Sequence, residues 1–439
     1  MKRMMLVCVM ILCLLPITTF AEETFAPQGD YCVFCADGLY GVQTLDGETV
    51  VPAEYIGIHP IYNDLCIVEA IGSPYHPLLG LWRLSTREEL QPCIWNTITV
   101  TDTLVVLNNE DDLMYLYDPY SNRIILSSNW ILPLGNGKRF VTESEADDSS
   151  DGEIVDYCYQ FRAPDGTIVF EVEVADGFLM DNPAINTDYA LISSSPDSTM
   201  SVMSMYNFIT GKQIMTTDFQ CFWPVDGYAA AWSDQTHYYI IDCNGNQVSP
   251  FYLDIAMTVY TPEYGDGLFA VKKEDGWYII RVDSEINPDE LFGPIQCYGK
   301  PYYLGNQLFA LPTEKGTLFF SALNNQHLFL EDTWTGGSMR ASTTICKEGR
   351  YGFLFEDLTI IEPLYDSCCG FLGDFGFVKI GGVWHPIDRE GNVDEGISYS
   401  YVNQSTDGLY YYVWCENGET YCLDLMLQPI THISVMAVG

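Results

Sequence analysis

The sequence predicts an all-β fold of tandem antiparallel repeats, and three observations predict it. Apolar stretches are short, rich in Tyr, Phe, Val and Ile, and punctuated by Gly, Asn and Asp, which is the pattern of strands joined by tight turns. No window of helical length carries a sustained apolar stripe between caps, so almost no helix is expected after the first residues. An aromatic or apolar pair recurs throughout: Tyr40-Gly41, Leu81-Trp82, Tyr115-Leu116, Tyr159-Gln160, Tyr206-Asn207, Tyr238-Tyr239, Tyr278-Ile279, Leu318-Phe319, Tyr351-Gly352, Trp384-His385 and Tyr421-Cys422. The ten steps between them give a mean period of about 38 residues.

In chain order, the first element is an export signal. Lys2 and Arg3 precede a continuous apolar run from Met4 to Leu15, Pro16 breaks it, and Thr19-Phe20-Ala21 presents small residues for cleavage. The run is shorter than the ~20 residues a membrane span needs. Residues 1–21 are therefore read as a signal peptide cleaved after Ala21, and residues 22–439 as one β-repeat domain of about eleven units. The cleaved protein is expected outside the cell or in its envelope, with no stable membrane insertion.

The units themselves carry turn and packing residues. The first reads Asp37-Gly38-Leu39-Tyr40-Gly41-Val42, then Asp46-Gly47, Val50-Val51-Pro52 and Tyr55. A late unit reads Glu348-Gly349-Arg350-Tyr351-Gly352-Phe353, then Ile360-Ile361-Glu362-Pro363 and Tyr365-Asp366. Residues Asp275-Gly276-Trp277-Tyr278 and Gly381-Gly382-Val383-Trp384 are partial copies. Gly before the aromatic suits a sharp turn into the strand, and Gly after it lets a neighbouring ring or backbone approach closely. The Val-Val-Pro run is expected to end a strand where a missing N–H does no harm. This spacing resembles the bacterial WG-repeat (KWG-type) proteins, most closely in the first unit and around residue 350. The resemblance implies a repeat architecture and no enzymatic activity.

One small antiparallel sheet cannot bury both its faces, so the units must stack. Radial stacking, a β-propeller, is the preferred reading. Eleven units exceed the usual four to eight or so blades, which keeps a β-hairpin solenoid or two propellers as alternatives. Closure is expected to pair a last strand, His432 to Ala437, with the first, Tyr31 to Cys35.

Charge and cysteines bound the function. The chain has 19 Lys+Arg against 60 Asp+Glu, a net charge of −41, and loss of Lys2 and Arg3 with the signal takes it to −43. Nucleic acids and anionic membranes are poor partners for such a field, because binding them requires Lys and Arg to displace counterions. Thirteen of the 15 cysteines remain after cleavage, an odd number scattered along strand-like runs, where a thiol acts as a small buried hydrophobe. Many unpaired thiols in an exported protein would suit a reducing setting.

Motif by motif, the chemistry stays thin. Cys32-x-x-Cys35 lies in a strand, whose positions i and i+3 face opposite ways, rather than at a helix N-terminus. Cys368-Cys369 reads as packing or a labile neighbour pair. Histidines 59, 76, 237, 327, 385 and 432 stand at no metal-ligand spacing. The acidic run Glu143 to Glu153 contains Asp147-x-Ser149-x-Asp151-Gly152, the start of a calcium loop, but Cys158 stands where the bidentate acid belongs. It reads as a solvated loop, with weak divalent cation binding as the remaining option. Ser405-x-Asp407-Gly408 only loosely matches a sialidase Asp-box. Tyr399, Tyr401, Tyr410, Tyr411, Tyr412 and Trp414 cluster near the C-terminus, and strand alternation should bury about half of them.

No catalytic, cofactor-binding or metal residue is assigned, and no cofactor is expected. The sequence favours a non-enzymatic binding or scaffold protein with a protein or glycan partner. The alternatives are a carbohydrate-binding module, predicting one aromatic face, and a propeller-type glycan hydrolase or lyase, predicting converging carboxylates.

Overall fold

Strand follows strand in a computed structural model that describes residues 23–433, apart from 74–75, 112, 146–155, 176, 181–188, 198–199, 218–227, 233–236, 243–245, 257–266, 283–287, 336–341 and 406–407. None of the described residues is helical. The strands form eleven antiparallel sheets among the described residues, taken here as sheets 1 to 11: 23–55, 57–95, 97–128, 131–175, 177–217, 228–242, 254–295, 302–331, 333–365, 367–388 and 401–423. Most are four-stranded meanders in which each strand pairs with the next. The predicted signal peptide lies outside the described residues.

Each recurring pair falls at the same place. In every sheet with three or more described strands, it lies on the third, from Tyr40 on Leu39–Thr44 to Tyr421 on Thr420–Leu423. Sheet 6 keeps its pair on Tyr238–Asp242, the second of its two described strands. The period in the sequence is thus the period of the fold, and the class is the all-β tandem antiparallel repeat that the sequence predicts.

The first unit shows why its residues are where they are. Asp37 (φ 54°) and Gly38 (φ 79°) make a two-residue turn with both positions left-handed, the geometry that matches strand twist. Tyr40 then pairs with Tyr55 and Val42 with Val51, so the fourth strand bulges opposite Gly41. A Cβ on Gly41 would stand 2.5 Å from the Val51 carbonyl oxygen and 2.9 Å from the Phe34 ring. Sheet 9 repeats this: Glu348 and Gly349 turn, Tyr351 pairs with Tyr365 and Phe353 with Ile361. Pro52 corrects the expectation that it ends a strand. Strand Thr49–Tyr55 runs through it, and the missing N–H is absorbed by the bulge.

The chain divides into two compact units. The first comprises residues up to Cys93 together with the segment from Gln428. Here Trp82 donates its indole N–H to the Tyr55 hydroxyl at 2.9 Å, joining sheets 1 and 2. The last described strand, Pro429–His432, packs onto the same sheets. Ala26 N–H donates to the Pro429 carbonyl (2.8 Å), the Gln28 amide to Ile430 (2.9 Å) and the buried Thr431 hydroxyl to Ile58. His432 stacks on Tyr40 at 4.4 Å. The two ends of the described residues therefore meet, but not by the pairing expected: Tyr31–Ala36 is already flanked by Glu23–Thr24 and Leu39–Thr44. Residues 434–437 lie outside the described residues.

The second unit, Ile94–Leu427, holds sheets 3 to 11. Apolar clusters fill the gaps between successive sheets. Leu104, Leu116 and Phe140 join sheets 3 and 4, and Phe161, Leu179 and Phe208 join 4 and 5. Ile240, Val271 and Tyr278 join 6 and 7, Ile279 and Phe309 join 7 and 8, and Phe319 and Ile345 join 8 and 9. Phe353 and Phe371 join sheets 9 and 10, and Phe377 and Tyr411 join 10 and 11. Sheets 4 and 7 to 10 each lend one face to each neighbour, which gives a lone meander the core it lacks.

Candidate binding surface

Sheet 11 carries the aromatic run, and alternation sorts it. On strand Tyr411–Trp414, Tyr411 and Val413 turn into the core shared with sheet 10 and are fully buried. Tyr410, Tyr412 and Trp414 lie on the opposite face and stay half-buried. Tyr401 pairs with Trp414 across the ladder and is 50% exposed. The Tyr401 and Trp414 rings meet edge to face at 4.8 Å, and those of Tyr410 and Tyr412 at 5.2 Å, with their hydroxyls 3.3 Å apart. Asn403, exposed, sits opposite Tyr412 and adds an amide. From residue 390 to 439 the chain has no Lys or Arg, so this aromatic row lies in a purely acidic stretch. Such a surface offers π-faces, hydroxyls and an amide, the equipment for neutral or cationic ligands.

Tyr411 holds the row from behind. Its hydroxyl donates toward the carbonyls of Gly370 (2.9 Å) and Phe375 (2.7 Å) and accepts the Leu372 N–H at 2.6 Å. Burial pushes its phenol far above the ordinary tyrosine range. Tyr399, beside Phe377 at 5.9 Å, is raised to about 12 by burial and then by Cys415. Sequence reasoning gave Tyr411 no separate role from its neighbours, because nothing local marks the ring that ties two sheets together.

The other candidates do not converge with this surface. Cys32 is buried and Cys35 partly so, on one strand with no helix at hand. Cys66 is fully buried, and burial raises its thiol to about 12, the behaviour of an inert core cysteine. Cys368 packs between sheets 9 and 10 and Cys369 between 10 and 11. His59 places Nε2 2.9 Å from an Oε of Glu69, whose side chain is fully buried. That pair joins a residue just past strand Gly57–Ile58 to one on strand Leu65–Ser73, and no sequence motif announces it. His237 lies edge to face with Phe251 at 5.6 Å, His327 beside Phe292 at 5.2 Å, and His385 Nδ1 is 2.8 Å from the Ile397 carbonyl oxygen. The described residues hold no group of three His, Cys, Asp or Glu placed to bind a metal ion. Glu143 sits on strand Arg139–Glu145, while residues 146–155 of the acidic run and Asp407 of the Asp-box match lie outside the described residues.

No protein-family model matches the chain, and no curated protein does. Similar solved structures include BamB from Moraxella catarrhalis, 10% identical, covering 66% of this chain and 94% of that one, with a TM-score of 0.31. The C-terminal WD40 domain of Sif2 is 9% identical over 75% of this chain and 92% of its own, also at 0.31. Apo AztD from Citrobacter koseri is 11% identical over 74% and 92%, at 0.32. Scores this far below 0.5 assign neither fold nor role, so the fold rests on the sheets described above.

Proposed function

We propose that this protein is an exported, acidic repeat protein of WG type that acts by binding a partner at the cell surface or in the medium, without catalysis. The observation that carries the reading is the aromatic row of sheet 11, Tyr401 half-exposed and Tyr410, Tyr412 and Trp414 partly exposed beside it, in a stretch without Lys or Arg. The exposed parts of these rings keep apolar area in contact with water, and burying it against a partner is favourable. The charge favours a neutral or basic partner over a polyanion.

The test is capture of envelope and secreted components by residues 22–439, alongside a Tyr401→Ala/Trp414→Ala variant with an unchanged melting curve. A protein retained by the parent and lost by the variant supports the reading and identifies the partner. A glycan with the same dependence would transfer the surface to the carbohydrate-binding alternative. Equal capture by both chains, or none, would mean that the aromatic row is not the binding surface. Intact-mass analysis of the exported protein should place its first residue at Glu22, and a retained leader would overturn the export reading.

A further inference from the structure

Cys346 and Cys368, both free thiols in this structure, lie on neighbouring strands of sheets 9 and 10, and we propose that on oxidation they form a disulfide that ties these sheets together in the exported protein. Cys346 lies on strand Thr343–Lys347. Its neighbour Ile345 belongs to the core shared with sheet 8, so alternation turns Cys346 the other way, toward sheet 10, where it is 1% exposed. Cys368 lies on strand Ser367–Leu372 and packs against the cluster of Phe353, Phe355 and Phe371, on the side that faces sheet 9. Cys369 packs on the opposite side, against sheet 11.

The two strands run past each other in a fixed alignment. Their Cα traces come within 8 Å. At one end the Phe371 N–H donates to the Ser342 hydroxyl at 3.3 Å. At the other, Arg350, opposite Lys347 in the hairpin, is ion-paired with Asp366. Four residues on from Ser342 is Cys346; three back from Phe371 is Cys368. Facing strands at this separation allow the Cα distance of up to about 7 Å that a disulfide requires. Burial, then Cys369 and Cys346, push the Cys368 thiol well above the ordinary range, which also places Cys346 in its electrostatic neighbourhood.

The bond forms by exchange with a disulfide oxidant, a dithiol oxidase or a small disulfide such as oxidised glutathione. One protein thiolate attacks a sulfur of the oxidant, giving a mixed disulfide and releasing one oxidant thiol. The second protein thiolate attacks the protein sulfur of that mixed disulfide and releases the other. Two protein thiols become one disulfide, and the oxidant's disulfide becomes two thiols, which carry the two protons. Because burial disfavours the thiolate, exchange belongs to the stage before sheet 10 closes on sheet 9, and the reduced, folded protein should resist oxidation.

The proposal takes the exported protein to meet an oxidant, against the reducing setting that its many thiols would suit, and the test needs neither setting. Reduced, denatured residues 22–439 are refolded in reduced and oxidised glutathione, alkylated, digested without reduction and mapped by mass spectrometry. The expected result is a peptide pair joined through Cys346 and Cys368, lost in Cys346→Ser and kept in Cys369→Ser. The oxidised parent should melt several degrees above its reduced form. Folded protein with both cysteines alkylated, a bond between Cys368 and Cys369, or a bond from either to a distant cysteine overturns the proposal. Mapping the parent chain decides the question even if Cys346→Ser does not fold.

Discussion

A single added methyl group tests the packing of the repeat. Gly41 and Gly352 both have ordinary φ, so their need for glycine comes from the facing bulge and not from the backbone. At Gly352 a Cβ would collide with the Ile361 carbonyl oxygen and the Glu362 backbone, neither of which a rotamer change can move. Gly352→Ala is expected to cost ~1–3 kcal/mol by overpacking, read as a lower denaturant midpoint at unchanged slope. An unchanged midpoint would mean the bulge adjusts freely. Tyr411→Phe keeps the ring and removes the hydroxyl, leaving the Leu372 N–H and two carbonyls short of a partner in a dry core. That omission is expected to cost about 1–3 kcal/mol. The glycine was legible because Gly-x-aromatic-Gly recurs with fixed neighbours. Tyr411 was not, because its role depends on a bulge in sheet 10 some 36 to 41 residues away.

Strands were legible as strands, and their partners were legible only where a short turn dictates them. Asp37-Gly38 and Glu348-Gly349 specify hairpins by their own chemistry. The seating of Pro429–His432 on sheets 1 and 2 depends on Thr431 and His432 meeting residues hundreds of positions earlier, which no local pattern encodes. This strand yields a prediction: Thr431→Val keeps the shape and strands the Ile58 carbonyl in the interior, costing about 1–3 kcal/mol. Deleting residues 428–439 should go further and make sheet 1 the first site of proteolytic cleavage. If sheet 1 is cut no faster than in the full chain, the strand is not what holds it. The cores between sheets also predict an alkaline transition. Burial raises Tyr55, Tyr252 and Tyr399 to about 12 each. Unfolded tyrosines lose their protons near pH 10 or so, while these still hold theirs, so the folded chain binds more protons and stability falls as pH rises above that point. The contribution is complete below about pH 10 and gone near 12. The exposed tyrosines ionise first, while the buried share of the phenolate absorbance should appear only together with unfolding; the full phenolate absorbance in a still-folded chain would contradict the burial.

At the scale of the molecule, charge outweighs every local contact. A net −41, or −43 after cleavage, weighs against the compact state, because every added acid repels the rest. Ion pairs such as Arg87 with Glu48 or Lys300 with Asp254 relieve it only locally, where water and salt screen them. Screening acts on all the charges together. Raising ionic strength from about 0.01 to about 0.15 M shortens the Debye length from about 30 to about 8 Å, less than the span of a sheet. The melting temperature is therefore expected to rise over this range with sodium chloride, and to rise alike with a potassium salt, since screening depends on charge and not on the identity of the cation. A calcium salt at matched ionic strength separates the two ways a cation can act. Equal melting temperatures would leave diffuse screening as the whole effect. A further rise that a chelator reverses would mean that acids of this chain gather around a bound ion, and the acidic run beginning at Glu143 would be the first place to substitute.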